Sequence, residues 1–149
     1  MKIYLGADHR GYELKEKMFT FLTTKGYEVE DFGAYEYKKR DDYTLYAEKV
    51  ASVVRKSGSS YGILFCGSGV GVDIVANKFD GIRASIGQSI DQVRAGRSDD
   101  NMNILVVASD YVDAETTQEM VLTFLKTPFS GKARYKRRLE EIKKIEQNN

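Results

Sequence analysis

The segment Cys66-Gly67-Ser68-Gly69-Val70-Gly71 puts a thiol, a hydroxyl and three glycines in six consecutive residues. Glycine at that density lets the backbone turn sharply and present several N–H groups to one oxyanion or phosphate. A helix starting there adds partial positive charge at the same point. A thiol in such surroundings is expected to favour the thiolate, the form that acts as base or nucleophile. No Lys-Ser/Thr pair closes the loop, so it is not a P-loop, and Gly67, Gly69 and Gly71 lack the spacing of a dinucleotide fingerprint. The same residues also fit a structural part: a buried Cys at a strand end above a turn.

Three further clusters carry polar chemistry. Asp8-His9-Arg10-Gly11 can bind a polar ligand, orient a proton transfer, or cap a helix. Arg94 to Asn103 reads as a polar loop in which Asp99, Asp100 and Asn101 are either functional or solvated. Arg134 and Arg138 share a helix face, where they can clamp a phosphate or form a basic surface. The chain holds one His and one Cys, so His- or Cys-based chemistry runs through His9 or Cys66, and Cys/His zinc clusters within the chain are excluded. A disulfide framework is excluded for the same reason, which favours a reducing compartment.

The elements that must position these residues alternate. Short apolar runs at Lys2–Ala7, Tyr27–Phe32, Tyr61–Cys66, Ile82–Ile86 and Asn103–Ala108 read as strands. Amphipathic stretches at Tyr12–Lys25, Tyr43–Lys56, Val70–Lys78 and Asp113–Leu125 read as helices. Leu14, Met18, Phe19 and Leu22 form one stripe of the first, and Gly26 stops it. Strands alternating with helices predict an α/β fold: a doubly wound, five-stranded parallel sheet of Rossmann-like type. In such sheets ligands bind outside the carboxyl ends of the strands, which directs attention to Asp8–Arg10, Cys66–Gly71 and Asp99–Asn103. Residues Lys132–Gln147 carry Leu139, Ile142 and Ile145 on a narrow apolar stripe. That helix either caps the domain or reaches a second subunit.

With 149 residues, 42% apolar, and no linker or repeat, the chain is expected to form a single domain over 1–149 with a sizeable core. Lys plus Arg number 23 against 22 for Asp plus Glu, so there is no general attraction to nucleic acid or anionic membranes. The first residues are too short an apolar run for a signal peptide, and no run is long enough to cross a bilayer. A cytoplasmic location is expected.

Together these motifs are more specific than any one of them. The sequence resembles the family of ribose-5-phosphate isomerase B and the galactose-6-phosphate isomerase subunits over nearly its whole length. The resemblance rests on the turn Ala7–Gly11, the pair Asp42-Tyr43, the stretch Cys66–Lys78, Gly81–Ala84, the segment Asn101–Leu105 and the pair Arg134 and Arg138. It implies an aldose–ketose isomerase that uses no cofactor and no metal, acting on a phosphorylated sugar through a cis-enediolate. By the resemblance Cys66 is the base, and Ser68, where the family commonly has Thr, steadies the oxyanion with the backbone of Gly67, Gly69, Val70 and Gly71. Asp8 contacts the sugar, His9 the phosphate, Tyr43 lines the sugar pocket, Asn101 belongs to the substrate site, and Arg134 and Arg138 hold the phosphate. The family forms homodimers or tetramers with active sites at the subunit interface, so the C-terminal helix is expected to extend to a partner subunit.

The chain also departs from the family pattern. Asp99 stands where the ring-opening His is usual, Asp100 replaces the following Asn, and Thr44 replaces a Pro. An Arg usual just after the fifth strand has no match among Ser109, Asp110 and Tyr111. Either Asp99 or Asp100 takes over ring opening, or the substrate differs from ribose 5-phosphate. The competing readings are a sugar-phosphate-binding relative without turnover, and a receiver-like domain. The latter is disfavoured because the third strand ends in Cys66 and not in an acceptor Asp.

Overall fold

A computed structural model describes the whole chain, Met1–Asn149. Its elements run β1 (Lys2–Ala7), α1 (Tyr12–Thr24), β2 (Glu28–Asp31), α2 (Tyr43–Val54), β3 (Tyr61–Cys66), α3 (Val70–Ala76), β4 (Ala84–Ile86), α4 (Ile90–Asp100), β5 (Ile104–Ala108), α5 (Ala114–Lys126) and α6 (Ala133–Gln147). The strands are all parallel, in the order β2-β1-β3-β5-β4. The central strands read as near-continuous apolar runs because both of their faces are covered. One face packs Leu14, Met18 and Leu22 of α1, Val93 of α4, and Met120, Val121 and Phe124 of α5. The other packs Ala47, Val50 and Val54 of α2 with Val72 and Ala76 of α3. The doubly wound α/β fold read from the sequence is the fold observed.

The order of strands locates the crevice. From β1 the chain steps to β2 on one side and then returns to β3 on the other. The carboxyl ends of β1 and β3, paired as Ala7 with Phe65, therefore flank a switch point where connecting loops diverge and leave a cleft.

Helix α4 corrects the sequence reading, which takes its second half for a polar loop. The helix buries only Val93 and Arg97. Arg97 behaves as a core residue: its guanidinium carbon lies 4.7 Å from the Tyr61 ring centroid and 5.7 Å from that of Phe124. An apolar-periodicity search cannot see a stripe whose central member is an arginine. Caps close both ends of the helix. Ser89 Oγ accepts the Gln92 N–H at 3.1 Å, and Asn101 ends the helix in the left-handed region, at φ 49°.

Helix α6 packs against α4, and only its Tyr135 is buried. Ile142 and Ile145 remain 40% and 61% exposed. The Gly81 N–H donates to Glu146 Oε1 at 2.8 Å, and the Ser130 N–H donates to the Ser98 carbonyl at 2.9 Å. These contacts tie the C-terminal segment to the amino edge of the sheet. No helix of the chain is long and apolar enough to cross a membrane.

Candidate active site

The site is built around Asp8, which follows β1 and is 4% exposed. Its Oδ1 accepts the N–H groups of Arg10 and Gly11, each at 3.0 Å, and so organises the turn into α1. That turn lies hard against β3: a Cβ built on Gly11 would stand 2.5 Å from the Phe65 carbonyl oxygen. The close approach brings the second Asp8 oxygen to Cys66, whose thiol donates to Oδ2 at 3.5 Å.

Cys66 is buried at the end of β3. Burial pushes its thiol above the ordinary range; the Asp8 charge pushes the same way, while N–H hydrogen bonds from Gly69 and Gly67 pull it down. The upward causes prevail, so the resting group is a protonated thiol. This corrects the expectation that the glycine loop and helix start would favour the thiolate. Burial of a sulfur beside a carboxylate outweighs two amide dipoles and a helix of only seven residues.

Gly69 adopts φ 77°, which turns the loop into α3. Ser68 is exposed, and its Oγ accepts the Val70 N–H at 3.3 Å, leaving its own hydroxyl proton free to donate. Tyr43 lies on the start of α3, since a Cβ on Gly71 would sit 2.6 Å from its ring. The structure thus brings Asp8, Cys66, Gly67, Ser68, Gly69, Val70, Gly71 and Tyr43 together at the carboxyl ends of β1 and β3.

His9 stands at the same edge, held by a residue that sequence reasoning missed. Asp41 Oδ1 accepts both the His9 backbone N–H and its ring Nδ1–H, each at 2.8 Å, and the Asp41 side chain is only 8% exposed. The loop after β2 reaches His9 because Gly33 and Ala34 pair with Ala7. Burial first, and the Asp41 carboxylate second, push the neighbouring Tyr46 phenol up to about 12. Asp8, His9 and Asp41 bring three potential metal-ligand atoms within 4.8 Å of one another; both Asp8 oxygens and Asp41 Oδ1 take part in hydrogen bonds that build the site, whereas Asp41 Oδ2 is buried without a partner.

The remaining predicted residues lie elsewhere. Asp99, Asp100 and Asn101 end α4, at the amino edge of the sheet, where the Gly62 N–H meets the Asn103 carbonyl. Strand β3 separates that edge from Cys66; six residues at a rise of about 3.3 Å each span roughly 16 Å. Asn101 Oδ1 accepts from Arg97 Nη1 at 3.1 Å, and Asp99 Oδ1 accepts from Ser98 Oγ at 2.8 Å. Arg134 and Arg138 flank the Tyr135 ring on α6, with guanidinium carbons 4.7 and 5.8 Å from its centroid. The sequence reading sets Asp99–Asn103 beside the carboxyl ends of the strands. The topology corrects it: a helix that leads into a parallel strand must end at that strand's amino edge.

A parallel α/β sheet carrying a buried thiol, a carboxylate and a glycine-rich loop at its switch point defines a small-molecule site of the doubly wound class. A model of the Ribose/Galactose Isomerase family matches residues 3–142, and the chain belongs to that family. Ribose-5-phosphate isomerase B of Escherichia coli (strain K12) is 38% identical over 146 residues, spanning 98% of this chain and 97% of its own. The structure of a ribose 5-phosphate isomerase from Thermotoga maritima has a TM-score of 0.91 at 43% identity, over 96% of this chain and 97% of that one. Ribose-5-phosphate isomerase B from Mycoplasma genitalium, solved with bound ribulose 5-phosphate, has a TM-score of 0.95 at 36% identity, over 99% and 97%.

The raised pKa of Cys66 has a measurable sign. Alkylation of Cys66 by iodoacetamide is expected to rise with pH around a midpoint above the ordinary thiol value of about 8.5. Asp8→Asn keeps an accepting oxygen for the turn but removes the charge, and should shift that midpoint down. A wild-type midpoint below the ordinary value would refute the assignment.

Proposed function

We propose that the chain interconverts an aldose phosphate and a ketose phosphate, ribose 5-phosphate and ribulose 5-phosphate or a related pentose or hexose pair, through a cis-enediolate. The observation that carries this reading is the Cys66 thiol set between the Asp8 carboxylate and the N–H groups of Gly67 and Gly69. One base next to donors for a developing oxyanion is what a proton shift between adjacent carbons requires.

In this mechanism Cys66 first loses its proton, for which Asp8 Oδ2 is the adjacent acceptor. The thiolate takes the proton from C2 of the aldose, and the electrons form the enediolate. The loop amides and the free Ser68 hydroxyl donate to its oxygen. The proton of the C2 hydroxyl passes to the C1 oxygen, and the sulfur, whose proton exchanges with solvent through Asp8, protonates C1, so that C2 becomes the ketose carbonyl. Asp8 also faces the sugar hydroxyls, Tyr43 closes the pocket, and His9, oriented by Asp41, meets the phosphate.

The family resemblance gives Asp99, Asp100, Asn101, Arg134 and Arg138 a place at a substrate site, yet this chain's own sheet holds them away from its Cys66. We infer that they complete the site of a second copy in a dimer or larger homo-oligomer. The exposed Ile142 and Ile145 on α6 fit that use. There Asp99 or Asp100 opens the sugar ring by accepting the proton of the anomeric hydroxyl, while the ring oxygen is protonated from water. A cytoplasmic location suits an enzyme whose one free thiol must stay reduced. A second reading, sugar-phosphate binding without turnover, is favoured by the protonated resting thiol and by the Asp at position 99.

Incubating the full-length protein with a panel of pentose and hexose phosphates, followed by NMR, separates the two. Wild type is expected to convert at least one of them, and Cys66→Ala to lose 1,000-fold or more, roughly the cost of removing the base from a proton transfer. Binding with no conversion of any sugar would leave the second reading in place of the first. Subunit mixing tests the shared site. Cys66→Ala chains and Arg134→Ala/Arg138→Ala chains should each be nearly inactive alone and regain up to about a quarter of wild-type sites when mixed, because half the dimers become hybrids with one intact site. Failure to regain activity after demonstrated subunit exchange would overturn the shared site.

A further inference from the structure

Arg10 has no role in the mechanism so far, yet its side chain lies on the glycine-rich loop. A Cβ built on Gly67 would meet Arg10 before anything else, standing 2.6 Å from the guanidinium carbon. Gly67 is not among the glycines with positive φ, so its backbone does not call for glycine; the space taken by Arg10 does. Asp110 fixes the arrangement from the other side. Its Oδ2 accepts from Arg10 Nη2, and its backbone N–H donates to the Gly67 carbonyl at 3.1 Å. The Arg10 backbone N–H is held by Asp8, and the next residue back is His9. One cation is thereby anchored over the loop that borders Cys66.

An ion pair this open adds little to stability, since the Arg10 side chain is 56% exposed and that of Asp110 34%. Its consequence is positional. A guanidinium has five N–H donors, and Asp110 engages Arg10 through Nη2, which leaves donors on the other nitrogens for a ligand. Anchoring removes rotamer freedom before a ligand arrives, so less is lost on binding. Ser109, Asp110 and Tyr111 contribute no cation after β5, and Arg134 and Arg138 of the same chain stand at the far edge of the sheet.

We propose that Arg10, positioned by Asp110 and admitted by Gly67, binds the phosphate group of the sugar substrate together with His9, and so helps to decide between phosphorylated and unphosphorylated sugars. This rests on the sugar-phosphate reading of the site, but its test does not depend on turnover. Inorganic phosphate is the probe, titrated into the full-length protein by calorimetry and used as a competitive inhibitor wherever a sugar phosphate is converted.

Arg10→Ala is expected to weaken phosphate binding at least tenfold and to raise KM for the sugar phosphate by a similar factor, with the smaller part of the loss in kcat. Arg10→Lys should recover part of the binding. Gly67→Ala, which displaces the guanidinium without removing it, should weaken binding in the same direction. Lys17→Ala, which removes a cation of the same 56% exposure from α1, should leave the phosphate Kd unchanged. Phosphate binding by Arg10→Ala within twofold of wild type, or no phosphate binding by wild type at tens of millimolar, overturns the proposal. If no sugar phosphate is converted but Arg10→Ala still loses phosphate, the anion site stands and the isomerase reading falls. Conversion with unchanged KM and phosphate binding in Arg10→Ala has the opposite meaning.

Discussion

Asp8 has to satisfy two demands with one buried carboxylate. One oxygen ends the N–H groups of the turn into α1, and the other receives the Cys66 thiol across the switch point. Hydrogen bonds to an ionised group contribute about 1.5–3 kcal/mol each, and a buried carboxylate left without them is strongly disfavoured. The turn and the strand end therefore hold one another in place. Gly11 is part of the same constraint, because only a residue without Cβ allows the turn to come so close to Phe65. From this contact follow the position of His9, the seat of Arg10 on the loop and the environment of the thiol.

The same contact sets a tension in the chemistry. The carboxylate that builds the site also keeps Cys66 protonated, in concert with burial, against the pull of the Gly69 and Gly67 amides. A site with this balance is not poised as a free thiolate. It has instead an acceptor beside the sulfur, Asp8 Oδ2, to which the thiol already donates. In the proposed isomerisation the N–H groups of the same loop pass to the substrate oxygen as the sulfur takes up the carbon-bound proton. The proposed reaction thus exchanges partners around fixed amides.

Some of this was legible in the residues alone. Strands β1 and β3 have the boundaries read from their apolar runs, and Gly26 stops α1 with φ 85°, because both signals are local. Helix α4 was not legible, since Arg97 fills with its stem and guanidinium the place an apolar residue would take. The partners of the site residues were hidden by distance along the chain: Asp41 is 32 residues from His9, and Asp110 is 100 from Arg10. Asp99 and Asp100 were legible as residues but not in place. Which edge of the sheet they occupy follows only from counting the parallel strand after them.

In the proposed isomerisation, carbon-bound hydrogen moves by way of Cys66 and an enediolate. Isomerisation run in deuterium oxide, with the position of label read by NMR, tests it most directly. Deuterium should enter C1 of the ketose formed by wild type, because a proton held on sulfur exchanges with solvent through Asp8. Cys66→Ala should show neither product nor label. Ketose formed without any deuterium at C1 would indicate direct hydride transfer between the carbons and would contradict the account, as would label entering at the wild-type rate in Cys66→Ala.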